Sequence, residues 1–339
     1  MAQPALDFFK KRAVLIKAES IEGTDSLPVP ATDGFRLFDG SSSTEFDKVE
    51  RNEDKPHFGS NPFSVANRRA TIEGTFELYP PATPGAATTS DAFCDRVLFP
   101  SGMAVTKDLP NKITRYNPIS ASIPSATAYF YHAGTLVKAL GARGNISSLG
   151  IEIGQRFTGQ VSIMGEYAAV VADALPSVTL PSKVPVVSSK RNSECILGTL
   201  LRGGTVSTDA VPLVDLHTWA KALRIDFGNA LGYREYTEKG VAGITDRAAT
   251  FTLRLAKTDI TADFNPWYVR DNGIILTAAY RMYESDAKDA LYSELGIRGQ
   301  IENITPTDID GDYGWEITGP CVPSDTGNDE FWIAFGDVS

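Results

Sequence analysis

The property of this sequence that most restricts its fold is that it repeats itself. Gly141-Ala142-Arg143-Gly144-Asn145-Ile146 returns as Gly296-Ile297-Arg298-Gly299-Gln300-Ile301. Downstream, Met164-Gly165-Glu166 aligns with Thr318-Gly319-Pro320. Upstream, Arg69-Ala70-Thr71 running into Phe76-Glu77-Leu78 aligns with Arg247-Ala248-Ala249 running into Leu253-Arg254-Leu255. Earlier still, the stretch from Phe35 to Gly40 aligns with that from Leu223 to Gly228. Blocks recurring in one order predict a duplicated fold, and 339 residues are enough for two domains.

The repeated blocks alternate apolar and polar residues with period two. In the stretch from Thr71 to Leu78, Ile72, Phe76 and Leu78 share one face, and Thr71, Glu73, Thr75 and Glu77 the other. Phe251, Leu253 and Leu255 alternate with Thr252 and Arg254 in the same way, and Trp315 and Ile317 with Glu316 and Thr318. Between strands each copy predicts one short helix. In the first, Ser90 caps a segment from Asp91 that Pro100 ends; in the second, Asn265 caps, Pro266 opens and Gly273 closes. Residues 176–193, with Pro176, Pro181 and Pro185, read as a linker. The expected architecture is mainly β, of the α+β type, with tandem domains over 1–185 and 186–339, each a β-sandwich with one short helix.

Charge and cysteines narrow the function classes. Net charge is −10, with 14 basic and 23 acidic residues in 186–339, so tight binding to phosphate backbones is not expected. Cys94, Cys195 and Cys321 have no CxxC spacing and read as packed thiols, without a disulfide framework or zinc site. No run of eighteen apolar residues occurs and Asp7 interrupts the start, so neither membrane insertion nor a signal peptide is expected, and folding in a cytoplasm is.

Catalytic patterns fail one by one. His57, His132 and His217 lie in no nucleophile or metalloprotease context, and Gly203-Gly204 lacks the ending of a phosphate loop. Asp308-Ile309-Asp310-Gly311-Asp312 spaces its carboxylates as calcium loops do. The sixth and twelfth places, which need glycine and glutamate, hold Tyr313 and Gly319, so a turn is the expectation. Glu73 and Glu77 lie too far apart along a strand to mark a sugar cleft, and Trp267 and Trp332 read as core. No enzyme, cofactor or metal site is expected.

The stretch from Lys17 to Asp25, then Val49-Glu50-Arg51, Pro56, Gly59 and the strand from Arg69 to Leu78, resembles the major tail tube proteins of long-tailed, non-contractile (siphovirus-type) bacteriophages. So do the stretches from Ser125 to Tyr131, Leu136 to Gly144 and Asp325 to Glu330. The resemblance implies a virion structural protein that is made in the host cytoplasm and forms rings stacked into the tail tube, a conduit for double-stranded DNA. The implied partners are other copies of the chain, the tape measure protein, and the tail terminator and distal tail proteins, with transient, non-specific passage of DNA. Most members carry one tube domain and form hexameric rings; two domains per chain imply a trimer with pseudo-sixfold symmetry, closed as a β-barrel.

On that reading Thr71, Glu73, Thr75, Glu77, Thr252 and Arg254 face the lumen. The connections 49–68 and 234–246, with Glu50, Arg51, Asp54, Phe58, Phe63, Glu235, Tyr236 and Glu238, are long loops that stack rings. A phage decoration or capsid-associated protein and a carbohydrate-binding β-sandwich are the alternatives.

Overall fold

The computed structural model describes residues 11–338 except 52, 55, 57, 58, 87–91, 181, 182, 201–213, 216–218 and 261–263. The N-terminal half runs β1 (Arg12–Ala18), β2 (Gly34–Phe35), β3 (Phe38–Glu50), β4 (Phe63–Glu77), α1 (Ala92–Leu98), β5 (Met103–Asp108), β6 (Ile113–Pro118), β7 (Ala126–His132), β8 (Thr135–Glu152) and β9 (Thr158–Ala172). The C-terminal half runs β10 (Ser193–Leu200), β11 (Val214–Asp215), β12 (Ala220–Asp226), β13 (Asn229–Glu235), β14 (Gly240–Arg247) and β15 (Thr250–Ala256). It continues with α2 (Pro266–Asp271), β16 (Ile275–Tyr283), β17 (Leu291–Gln300), β18 (Asn303–Ile309), β19 (Asp312–Pro320) and β20 (Phe331–Asp337). The protein is mainly β.

Alternation accounts for the strands. Phe251, Leu253 and Leu255 are buried while Thr252 and Arg254 are half-exposed, and Ile72 and Phe76 are buried beside an exposed Glu73. Helix α2 forms at its expected signals: Asn265 Oδ1 accepts from the Tyr268 amide at 3.0 Å, Pro266 opens it, and Gly273 follows it with φ +62°. Helix α1 occupies the expected segment; Ser90 and Asp91 lie outside the described residues. The acidic Asp308–Asp312 segment is a β18–β19 hairpin turn. Asp310 and Gly311 both have positive φ, which an Asp-Gly pair supplies readily, and Asp308 Oδ1 accepts from the Gly311 amide at 2.8 Å. The three cysteines are free and buried.

The order of pairing is the same in the two halves. β1–β7–β8 answers β10–β16–β17, and β3–β4–β9–β8 answers β12–β15–β19–β18, every pair antiparallel. The ladders correct the sequence alignment in two places. If Gly141–Ile146 is laid on Gly296–Ile301, Ser147 falls on Glu302; Ser147 faces Gln160, and the Glu302 amide bonds the Thr318 carbonyl. Thr318 therefore answers Gln160, not Met164. By the same logic Phe38, opposite Thr75, answers Arg224, opposite Thr252, and not Asp226. Glycines in strands of this kind recur at several registers, which is why sequence matching slipped.

Two seams join the halves. In the larger sheet the end of β8 pairs with β12, Arg224 opposite Gly150 and Leu223 opposite Ile151; in the second sheet β20 pairs with β6, Ile333 opposite Tyr116. The Phe227 amide extends the first seam to the Ile146 carbonyl at 2.9 Å. Residues of both halves, from Ile16, Phe76 and Val97 to Leu223, Leu295 and Phe335, form one continuous core. At the join the Phe227 and Phe331 rings lie 4.6 Å apart. Neither sheet closes into a barrel within the chain.

The segment expected to be a linker does leave the sheets, but it is strapped to the N-terminal half. Thr179 donates to the Pro30 carbonyl at 3.0 Å, Lys183 Nζ to the Pro80 carbonyl at 3.0 Å, and Ser188 exchanges backbone bonds with residues 154 and 155. Proline removes strand donors without freeing the chain from its surroundings.

Candidate polar sheet face

The expected lumen residues fall on a run of eight strands, β3–β4–β9–β8–β12–β15–β19–β18. Residues directly opposite across a ladder share a face. Ser41, Glu73, Ser162 and Asn145 therefore stand in one row, and Thr75, Gln160 and Ser147 in the next. Beyond the seam, Gly150, Arg224, Thr252 and Thr318 form a row, and Ala222, Arg254, Glu316 and Thr305 another. A register shift between Ser147 and Gly150 keeps both on the same side despite their odd spacing. The opposite face of these strands carries Ile72, Phe76, Ile146, Leu149, Leu223, Leu253 and Ile317, all buried.

The charges on this face are matched internally. Arg224 bonds Glu152 across the seam, and Arg254 pairs with Glu316 at 2.7 Å. Glu73 accepts from Ser162 Oγ at 3.0 Å, and Asp226 from the Gly228 amide at 2.9 Å. Both arginines are thus spoken for by carboxylates, and the remaining acids give the surface a mildly negative character. Two shallow hollows, of about 320 and 310 Å³, mark the face around Thr252 and around Glu73. Among the described residues no cluster of His, Cys, Asp and Glu is arranged to hold a metal.

Glu77 departs from expectation. It is buried and paired with Arg156 at 3.1 Å, because the turn between β8 and β9 covers the end of β4. Period two assigned it a side without seeing that cover. Alternation sets Gln160, Ser162 and Glu316 on the polar sides of their strands, but placing them with Ser147 and Arg224 on this one face needs the ladder partners.

The two connections expected as long loops are mostly hairpin arms. β3 continues to Glu50 and β4 starts at Phe63, leaving residues 51–62; β13 and β14 leave only 236–239. Polar residues on both faces of these arms hide the alternation that identifies a strand. Both ladders shift register at matching places, Glu45/Asp47 and Ala230/Leu231. Glu50, Arg51, Asp54, Phe63, Glu235, Tyr236 and Glu238 are all exposed, whereas Phe58 lies outside the described residues. The arms touch: Glu235 Oε2 accepts from the Asn67 amide at 2.8 Å.

The second arm lies over β8 and β9. The Gly240 amide donates to Glu166 at 2.9 Å, and at its base Asn229 bonds Asn145 Oδ1 through its amide at 2.9 Å and the Ser101 carbonyl through its side chain at 2.8 Å. Gly228, with φ +59°, allows the turn into this arm, where a Cβ would lie 2.2 Å from the Ala248 carbonyl oxygen. Burial and the nearby carboxylates of Glu166 and Glu235 push the Tyr233 hydroxyl up to about 12.

The face is thus polar, internally neutralised and flanked by projecting arms. The family model described as phage tail tube protein matches residues 10–272. The chain belongs to the phage tail tube family. Its match runs through the segment between the halves and on into α2, so both halves contribute to it. No curated protein matches the chain. Members of the family are structural proteins of the virion tail, not enzymes.

Membership gives the remaining sequence motifs their setting. His132 ends β7 opposite Arg12, with its ring 6.4 Å from Phe130; His57 and His217 lie outside the described residues. Trp267 packs edge-on against Trp315 at 4.7 Å, as a core residue does. Trp332, expected in the core, is only half-buried: it donates to Glu294 at 2.6 Å and carries Arg115 over its ring at 4.6 Å, on the outer side of the second sheet.

Proposed function

We propose that the chain is the major tube subunit of a siphovirus-type tail and a tandem of two tube-type halves, divided near residue 185. Three copies form a pseudo-hexameric ring, and stacked rings conduct double-stranded DNA during ejection. The observation that carries the reading is the eight-strand polar run, whose end strands β3 and β18 each pair with only one other strand among the described residues. Three such runs closed into a barrel would place the backbones roughly 40–50 Å apart across the ring, given ordinary strand spacing and tilt. That leaves room for a duplex.

Thr71, Glu73, Thr75, Thr252 and Arg254 would then line the lumen, with Glu77 behind the wall. A wall whose arginines are already paired gains little from phosphate contact, so DNA slides past it without the counterion-release energy that would hold it. The arm tips, with Glu50, Arg51, Asp54, Phe58, Phe63, Glu235, Tyr236 and Glu238, would contact the adjacent ring. Tape measure, terminator and distal tail proteins are the other partners in this reading.

Negative-stain microscopy and native mass spectrometry of the purified protein test it. Tubes, and rings of three chains, are the expected result. Flat lattices, or rings of six chains, would overturn the function or the stoichiometry respectively.

A further inference from the structure

Within the chain, one edge of the C-terminal half's strand quartet, β12, is already joined to an edge of the N-terminal quartet, β8. The two remaining edges, β3 and β18, are the counterparts of those two strands. β3 stands to β4 as β12 stands to β15, and β18 to β19 as the end of β8 to β9. We propose that neighbouring chains join by repeating this internal seam: β3 of one copy pairs antiparallel with β18 of the next, Phe38 opposite Thr305. The proposal rests on the ring-forming reading above and adds its seam, register and direction.

The register follows from three ladders. Phe38 opposite Thr75 corresponds to Arg224 opposite Thr252, and Thr305 opposite Glu316 corresponds to Gly150 opposite Thr158. Arg224 faces Gly150, so Phe38 faces Thr305. Such a contact is heterologous and closes head to tail, as a ring requires.

Independent observations point to the same partner. At the base of the internal seam the Asn229 amide is bound by the side chain of Asn145. The corresponding residues are Thr44 and Gln300, and Gln300 presents an exposed side-chain amide one methylene longer. Along the β3–β4 hairpin, Phe38, Phe46, Val49, Phe63 and Val65 are each 38–53% exposed. In the second arm Ala242, which answers Ser64 beside Val65, is fully buried against the N-terminal half. Val49, opposite Ser64, therefore lies on the face that is covered in the second arm and is left for a second copy to cover in the first. Both edges are blunted against other strands. Pro306 removes one donor from β18, and the Gly40 carbonyl of β3 accepts from Arg12.

Disulfide trapping in assembled tubes tests the seam. Arg224 and Gly150 sit between the bonded pairs of the internal ladder, and that kind of site brings Cα atoms within disulfide range. A Phe38→Cys/Thr305→Cys chain, whose native cysteines are buried, should oxidise in tubes to covalently closed rings. A Phe38→Cys/Asn303→Cys chain, two residues out of register, should yield far less. Tubes whose 38–305 pair stays reduced, or links only as Phe38–Phe38 dimers, would overturn the proposal.

Should the cysteines impair assembly, hydrogen exchange on the unaltered chain gives a second reading. Amides of 42–44, Ile304 and Asp308 should become protected on going from free chain to tube; unchanged exchange in tubes seen by microscopy would overturn the seam. If the unaltered chain forms no rings or tubes, the underlying ring reading fails, and microscopy alone reveals that.

Discussion

Strand β8 ends against β12, whereas β18, which holds the same place in the C-terminal half, ends against nothing among the described residues. The side chains differ accordingly. At the inner seam Leu149 and Ile151 are fully buried; at the outer edge the corresponding Ile304 and Pro306 are half-buried and exposed, with Thr305 between them. The arms show the same contrast. β13–β14 is clamped over β8 and β9 through Asn229 and Gly240, while β3–β4 leaves Phe46 and Phe63 stacked on each other at 6.1 Å in solvent. The same order of strand pairing thus occurs under two conditions: burial at the inner seam, which tolerates aliphatic side chains throughout, and exposure at the outer edge, where polar residues and proline suppress stray pairing.

The sharpest test removes the first arm's tip. Deleting residues 55–63 should abolish tubes while leaving folded subunits or isolated rings, as seen by microscopy and circular dichroism. The corresponding tip 236–239 is too short to substitute for it. Long tubes from the deletion variant would break the assignment of stacking to the arms.

Next in size is a pair of phenylalanine truncations. Phe227→Ala at the inner seam removes a fully buried ring and should cost about 3–5 kcal/mol in urea denaturation. Phe46→Ala on the exposed arm should change the isolated chain by about 0.5 kcal/mol or less, yet raise the concentration needed for assembly. Equal losses of stability would show that the two arms are not in different states.

A pH effect separates the arms further. Tyr233 in the clamped arm has its hydroxyl pushed up to about 12, whereas the free arm has Val49 in that place. A raised value means that the contribution is complete below the unfolded tyrosine value of about 10 and is lost as pH rises toward 12. Melting temperature should fall over that window, and less steeply in Tyr233→Phe. An unchanged slope would place the alkaline sensitivity elsewhere, with Tyr79, Tyr129 and Tyr280, raised similarly by burial, next in line.

The smallest effect is expected from Lys48→Ala. Its pair with Glu50, at 2.7 Å, is exposed on the free arm, so the urea denaturation midpoint of the isolated chain should stay within error of the unaltered chain's.

Much of this was legible beforehand. β4, β15 and β19 declared themselves because a core lies on one side of each and solvent on the other, and α2 because Asn265, Pro266 and Gly273 punctuate it. β3 did not, since Ser41-Ser42-Ser43-Thr44-Glu45-Phe46-Asp47 has little apolar alternation when neither face of the arm is buried. Glu77 was misplaced because cover by a turn is a tertiary fact. The rows that link Glu73 to Asn145, and Arg254 to Thr305, depend on long-range pairing that no local pattern encodes. The duplicated Gly-x-Arg-Gly blocks nevertheless raised the expectation of a duplicated fold.

Strand β8 is 18 residues long, roughly 60 Å at the usual rise per residue, and it pairs with different strands along its length. Its first part pairs with β7, which leads on to β1, and its last part pairs with β12 in the polar run. A pull or pressure applied at β7 therefore reaches β12 along covalent backbone, without having to cross side-chain packing. A sheet built on such a member stiffens in the way a laminate does when its plies share fibres, and bending it requires bending β8.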